Sequence, residues 1–358
     1  MRAPCSPDAC GPLRALLLAA VVLGTPRPVA AQDKPHIVTS LTTYAAIARE
    51  IVGDRMTVSS IARGDENPHF VQPRPSYVLE LKRADLFVTT GLDLELWVPT
   101  LLDKAGNRKV AEGGPGYVNA YPGVNLLDVP ATVSRSAGDI HVFGNPHIWT
   151  DPANGIVIGA NILAAVKRLD PAGAADYDDR FAAWKERVLQ AYVGGELVSL
   201  LGTDAVFDLA RQGQLWGFLQ SQAYQGQPLA TRLGGWLKEG ESFRGKPLVC
   251  YHKEWDYFSR AFGIPCIDYI EPKPGIPPSP RHVSDIITLM RDRGVRVLFS
   301  TNYYDYNQVR SVAARTGAKA VSVPSNAEGA PGTDTYIDLV SLWVRELRLA
   351  FGDRTAHP

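Results

Sequence analysis

The sequence predicts an α/β protein of two lobes, each with a parallel-type sheet covered by helices, bridged by a long helical spine. Three observations predict it. Short apolar runs alternate with helical stretches in both halves of the chain, the pattern of a parallel sheet buried on both faces. One unbroken helical period separates the two alternating regions. The length of 358 residues, at roughly 100–200 residues per domain, fits two domains.

The chain opens with Arg2 and Arg14 around a ten-residue apolar run, Ala15 to Gly24, and then Val29-Ala30-Ala31. A positive start, a run too short to span a bilayer and small residues at the cut make residues 1–31 a signal peptide. No cysteine stands at the end of that run, which argues against a lipid anchor. The first lobe is expected over residues 33–172. It reads as strand 36–40, helix 43–52, strand 57–62, helix 76–83 and strand 86–89. A Gly-, Pro- and Asn-rich stretch, 102–146, reads mostly as loop. Asp151-Pro152 then opens a helix to Leu169, with Asp as cap and Pro in the first turn.

Residues 173–197 read as the connecting helix. Tyr177, Phe181, Trp184, Val188 and Tyr192 recur at spacings of three or four and no proline interrupts them. The second lobe is expected over 198–358, with a helical insertion at about 198–244 whose glycines split it into fragments. Strands at 248–251, 266–270, 295–300 and 320–323 then alternate with helices at 255–262, 282–293, 307–316 and 336–351.

Composition excludes several classes. Hydrophobic residues are 45% and charged residues 21%, which is globular and not disordered. Lys+Arg and Asp+Glu are both 37; cleavage after Ala31 removes three basic residues and one acidic, leaving 34 against 36. No basic excess exists for nucleic acid, and no apolar run beyond the N-terminus could span a membrane. Of four cysteines, Cys5 and Cys10 leave with the signal. Cys250 and Cys266 fall on neighbouring expected strands in an oxidising compartment, where a disulfide and two buried thiols are both open.

The chemistry rests on histidine. His69, in Asn67-Pro68-His69, follows the strand at 57–62. His147, in Asn145-Pro146-His147, precedes a helix. His252 ends the strand at 248–251. Parallel sheets place ligands just past the carboxyl ends of their strands. Imidazole suits Zn²⁺, and three rings plus one further donor complete a tetrahedron. A proline before each of the first two rings fixes the backbone that aims it. A lone histidine is more often a core or surface residue than a ligand, so the joint placement carries the reading.

Asn67-Pro68-His69 with Pro73 and Pro75, Asn145-Pro146-His147-Ile148-Trp149 with Asp151-Pro152, and the stretch from Tyr251-His252 to Phe258 together resemble the signature segments of a known family. It is that of the ZnuA/TroA-like metal-receptor solute-binding proteins of bacterial ABC importers for zinc and manganese. The segment from Ala84-Asp85-Leu86 to Glu95-Leu96-Trp97 and that from Glu271-Pro272 to His282 match as well, so the resemblance covers residues 35–350. It implies two α/β lobes joined by one rigid helix, with His69, His147 and His252 as metal ligands. It also implies no enzymatic role, a periplasmic location and delivery of the ion to a permease in the inner membrane. Two features depart from the family. Residues 128–144 hold only His141, so a His- and acid-rich collecting loop is absent. Pro324 or Ser325 stands where many members have an Asp ligand.

The fourth position is open to His141, Glu328 or a water. Three imidazoles without a firm carboxylate favour Zn²⁺ over Mn²⁺. Affinity is expected to fall below about pH 6, where free imidazole protonates. Trp149 and Trp255, near proposed ligands, are expected to report binding by fluorescence. A monomer is expected, with no nucleic-acid partner. Two other readings compete. A zinc-dependent hydrolase would use a metal-bound water with Glu66 or Glu254 as base, although no compact catalytic motif is present. An organic-solute receptor of the same shape would leave the histidines incidental.

Overall fold

The computed structural model describes residues 34–130 and 141–352. The expected signal peptide, residues 1–31, lies outside the described residues. Among those described, no helix is long and apolar enough to cross a membrane.

The first half alternates strand and helix: β1 (His36–Thr39), α1 (Thr42–Val52), β2 (Thr57–Ser60), α2 (Pro75–Arg83), β3 (Leu86–Thr89), α3 (Val98–Ala105) and β4 (Tyr117–Asn119). The four strands form one parallel sheet in the order β2-β1-β3-β4. β1 and β3 are apolar on both faces because helices cover both sides. α3 and β4 correct the sequence expectation of loop from 102 onward. The helix runs from just after Trp97 to Gly106 in the left-handed conformation, so its apolar stripe is only two turns long. β4 is three residues on a sheet edge, too short to show a period.

Two helices follow, α4 (Pro152–Leu169) and α5 (Ala174–Val193). Asp151 caps α4 as expected, accepting from the Ala153 amide at 2.8 Å. α5 is the spine, and it reaches both halves. Arg187 on it pairs with Glu50 on α1 at 2.6 Å, and Tyr192 Oη donates to the Ala261 carbonyl at 2.9 Å. It ends at Val193, four residues before the expected limit. Gly194 takes φ 93°, ψ 147°, a conformation that ends the helix, and α6 (Gly195–Leu201) starts afresh.

Then come α7 (Thr203–Arg211), α8 (Leu215–Ser221), a small hairpin of β5 (Ala223–Tyr224) and β6 (Gln227–Pro228), and α9 (Gly235–Glu239). The second sheet follows: β7 (Leu248–Cys250), α10 (Asp256–Phe262), β8 (Cys266–Tyr269), α11 (Pro280–Asp292), β9 (Val297–Thr301), α12 (Tyr306–Thr316), β10 (Lys319–Val323) and α13 (Tyr336–Ala350). It is parallel throughout, in the order β10-β9-β7-β8.

One apolar cluster runs from Ile37 in β1 to Leu347 in α13 and so joins both sheets. Its seam is aromatic. Trp149, Trp184, Trp255, Trp343 and Tyr336 are all fully buried, and three of them hydrogen-bond backbone carbonyls. Trp149 Nε1 donates to the Ser325 carbonyl, and Trp343 Nε1 to that of Pro324, both at 2.6 Å. Tyr336 Oη donates to the Trp149 carbonyl at 2.8 Å. Buried indole and phenol groups need such partners.

Gly194 is a sharp test of how the spine is terminated. A Cβ there would lie 2.7 Å from the Gly234 Cα, in a backbone conformation that side chains rarely adopt. Gly194→Ala is therefore expected to destabilise the protein by about 1–3 kcal/mol, read as a lower urea midpoint at unchanged slope. An unchanged midpoint would show that the spine's end tolerates a side chain.

Candidate metal centre

Three of the site's segments leave the carboxyl ends of strands. After β2, the chain turns at Asn67, whose Oδ1 accepts from the His69 amide at 3.0 Å. Trp97 Nε1 donates to the Pro68 carbonyl at 2.8 Å and pins the same turn from α3's side. After β4, a long connection carries His141 and then His147, which caps a short 3₁₀ turn leading into α4. Asn145 Oδ1 accepts from both the amide (3.1 Å) and the ring Nδ1 (2.9 Å) of His147.

After β7 comes His252. Hydrogen bonds of the β7–β8 pair continue past the strands, with the Glu271 amide donating to the Tyr251 carbonyl at 2.7 Å. The His252 ring then donates from Nδ1 to the Glu271 carbonyl at 2.7 Å, which turns the Nε2 lone pair to the opposite side. Cys250 and Cys266 form a disulfide across the same two strands, with Cα atoms 5.6 Å apart. The alternative of two thiols is thereby settled.

These segments bring four imidazoles together. One ring nitrogen from each of His69, His141, His147 and His252 lies within 4.8 Å of the others, and all four residues are buried. His69 Nε2 and His147 Nε2 stand 3.1 Å apart. Donors on a tetrahedral zinc, with bonds of about 2.0–2.1 Å, stand about 3.3 Å apart. Burial holds the His69 and His147 imidazoles well below their ordinary pKa, and the neighbouring histidines push the same way. Both rings are thus neutral and carry the lone pairs that ligation needs.

His69, His147 and His252, the three rings singled out in the sequence, do converge. His141, one of the three candidates for the fourth position, joins them. Glu328 does not: its side chain is ion-paired with Arg49 and lies outside the group. The loop after β10 contributes backbone instead. Ser325 is fully buried, and its carbonyl and that of Pro324 serve the two tryptophans described above. Of the other histidines described, His36 meets Ser59 and His282 meets the Tyr269 carbonyl, both away from the group.

Two carboxyls flank the centre. Glu254 is fully buried, accepts from Tyr303 Oη at 2.6 Å and is pushed up to about 7 by burial. Asp256 accepts from Tyr269 Oη at 2.5 Å and is likewise pushed up to about 7, chiefly by burial. In the unfolded chain Asp256 would titrate near ~3.9. Between those values the folded state holds the extra proton, so this group's contribution to stability falls as pH rises through 7. Asp256→Asn is expected to lessen the loss of thermal stability between pH 5 and pH 8 in the metal-free protein. Identical pH dependence in variant and wild type would contradict the shift.

The chain is similar to known proteins over most of its length. The family model described as the periplasmic zinc-uptake complex component A, ZnuA, matches residues 37–192 and 229–350. The unmatched stretch, 193–228, falls on α6 to β6 and overlaps the first part of the insertion expected at about 198–244. The chain is 25% identical over 343 residues to the iron-binding protein YfeA of Yersinia pestis, covering 94% of this chain and 92% of that protein. It is 23% identical to the manganese ABC transporter substrate-binding lipoprotein PsaA of Streptococcus pneumoniae, covering 85% of each. Among solved structures, a ZnuA crystal structure superposes with a TM-score of 0.63 at 18% identity, covering 89% of this chain and all of that one. A manganese-bound periplasmic metal-binding protein from Candidatus Liberibacter asiaticus gives 0.62, at the same identity and coverage.

Proposed function

This chain belongs to the ZnuA family of periplasmic zinc-uptake components, and on that premise we propose that it captures Zn²⁺ with His69, His141, His147 and His252. It is a metal-binding receptor of an ABC importer and not an enzyme, and it acts outside the cytoplasm together with a transporter permease. The finer reading is ours: the chain is exported by cleavage after Ala31, works as a monomer free in the periplasm, and delivers zinc to a permease in the inner membrane.

The observation that carries the zinc reading is the convergence of four buried ring nitrogens within 4.8 Å. Four nitrogen donors suit Zn²⁺, whereas manganese prefers more oxygen and a higher coordination number. The relatives named for iron and manganese make these the ions to test against zinc. The neutral His69 and His147 rings need shed no proton to bind at pH 7, and burial keeps competing water out. Four protein donors also fill a tetrahedron, whereas a hydrolytic zinc site keeps one position for water. That argues further against the hydrolase reading. A receptor for an organic solute is disfavoured by the same burial.

His141 is the ligand that separates this reading from the alternatives. His141→Ala is expected to weaken zinc binding at least tenfold in chelator competition, while Glu328→Ala leaves it within twofold. The reverse order would transfer the fourth position to Glu328, and no effect from either would give it to water. Metal analysis of the natively purified protein, with zinc competed against manganese and iron, decides the ion.

The depressed His69 and His147 pKa values also move the acid limit of binding. At these two rings protons compete with zinc only below the depressed pKa, so their share of the affinity is expected to persist below pH 6 and to be lost further into the acid range. Calorimetry from pH 7 to pH 4 checks this. A tenfold loss already between pH 7 and pH 6 would restore the simple expectation from free imidazole.

A further inference from the structure

The two Asn-Pro-His segments look alike in sequence but are wired differently. Asn67 gives its side chain to the His69 amide. Asn145 is 2% exposed, and its side-chain amide is engaged on both sides. On one side, Oδ1 accepts from the backbone amide and ring Nδ1 of His147. On the other, Nδ2 donates to the Lys253 carbonyl at 2.8 Å and to Asp256 Oδ2 at 3.2 Å, with Asp128 Oδ2 at 3.5 Å. Lys253 and Asp256 belong to the second sheet's side of the centre, immediately after His252.

The backbone of Asn145 is held as firmly. Its amide donates to the Leu127 carbonyl at 2.8 Å, and its carbonyl accepts from Tyr257 Oη at 2.8 Å. Reversing the side-chain amide would set its nitrogen against the His147 amide and its oxygen against three other oxygens, so one orientation alone satisfies the network. With Oδ1 already an acceptor, His147 Nδ1 must carry the proton. The lone pair then sits on Nε2, the atom that faces His69 at 3.1 Å.

We propose that Asn145 is a positioning residue for metal capture, aiming the His147 ring with one side of its amide while fastening that ring's loop to the loop behind His252 with the other. The proposal rests on the reading of His147 as a ligand. Its chemistry is specific to an amide. Aspartate keeps the acceptor for His147 but loses both donors and sets a charge against Asp256 and Asp128. Alanine loses everything. The ring that completes the first sheet's share of the centre is thereby tied to the second sheet's position, so ligand geometry and inter-sheet docking are set by one side chain.

The test uses the full mature protein with Asn145→Ala, Asn145→Asp and, as a comparison, Asn67→Ala. Two readouts are taken: zinc affinity and release rate by chelator competition, and the His147 tautomer in the metal-free protein by ¹⁵N NMR of the imidazoles. Supporting partners of metal-ligating histidines are typically worth 10–100-fold in affinity. Asn145→Ala is expected to fall in that range, mainly through faster release, and to mix the two His147 tautomers. Asn145→Asp should keep the wild-type tautomer yet release zinc at least tenfold faster. Asn67→Ala, which touches no ring nitrogen, should cost less than either.

Wild-type affinity in Asn145→Asp would remove the inter-sheet half of the proposal. An unchanged tautomer together with affinity within threefold in Asn145→Ala would overturn it altogether. If the alanine variant does not fold, the aspartate variant carries the test alone. Should the wild type bind no zinc while Asn145→Ala still scrambles the His147 tautomer, the zinc reading fails and the aiming role stands.

Discussion

Four imidazoles buried against one another at the junction of two sheets are the constraint around which this molecule is built. Uncharged rings cost little to bury, and burial itself keeps His69 and His147 uncharged, but the nitrogens must still be aimed. The protein meets that need mainly with backbone. A turn at Asn67, a 3₁₀ cap at His147 and the extension of the β7–β8 ladder past His252 each fix one ring before any ion arrives. The sheets supply the ends, and the aromatic seam keeps those ends in register. Trp149 follows His147 by two residues and hydrogen-bonds the loop after β10, so the packing that joins the halves begins beside one of the four rings.

Much of this was legible in the sequence, for reasons that differ by element. The strands at 36–39, 86–89 and 248–250 are apolar on both faces and bounded by turns, so their type was plain. The cap at Asp151 was chemically explicit. α3 and β4 were missed because two turns of helix and three residues of edge strand carry too little period to stand out from glycine and proline around them. The spine was read four residues too long because Glu196 and Leu197 continue the helical pattern beyond Gly194, and only the backbone angle shows the break.

The site divides in the same way. His69, His147 and His252 were found because each follows a strand or opens a helix, so local context indicated direction. His141 stands in a loop with neither cue, and only the folded structure brings its ring into the group. Neither did spelling separate Asn67 from Asn145, since what distinguishes them is a partner over a hundred residues away. In a fold that assembles its centre from both sheets, proximity along the chain is a poor guide to which side chains cooperate.

The donor set has one more consequence. Receptors that ligate through carboxylates cancel part of the ion's charge at the moment of capture. An ion held by four uncharged rings would not be cancelled at all, so filling the centre would add two whole positive units to a chain whose formal balance is zero in full and 34 against 36 once cleaved after Ala31. Empty and loaded molecules would then differ in their electric field well beyond the centre itself. A membrane partner could sort one from the other by that field, even if the fold barely moves.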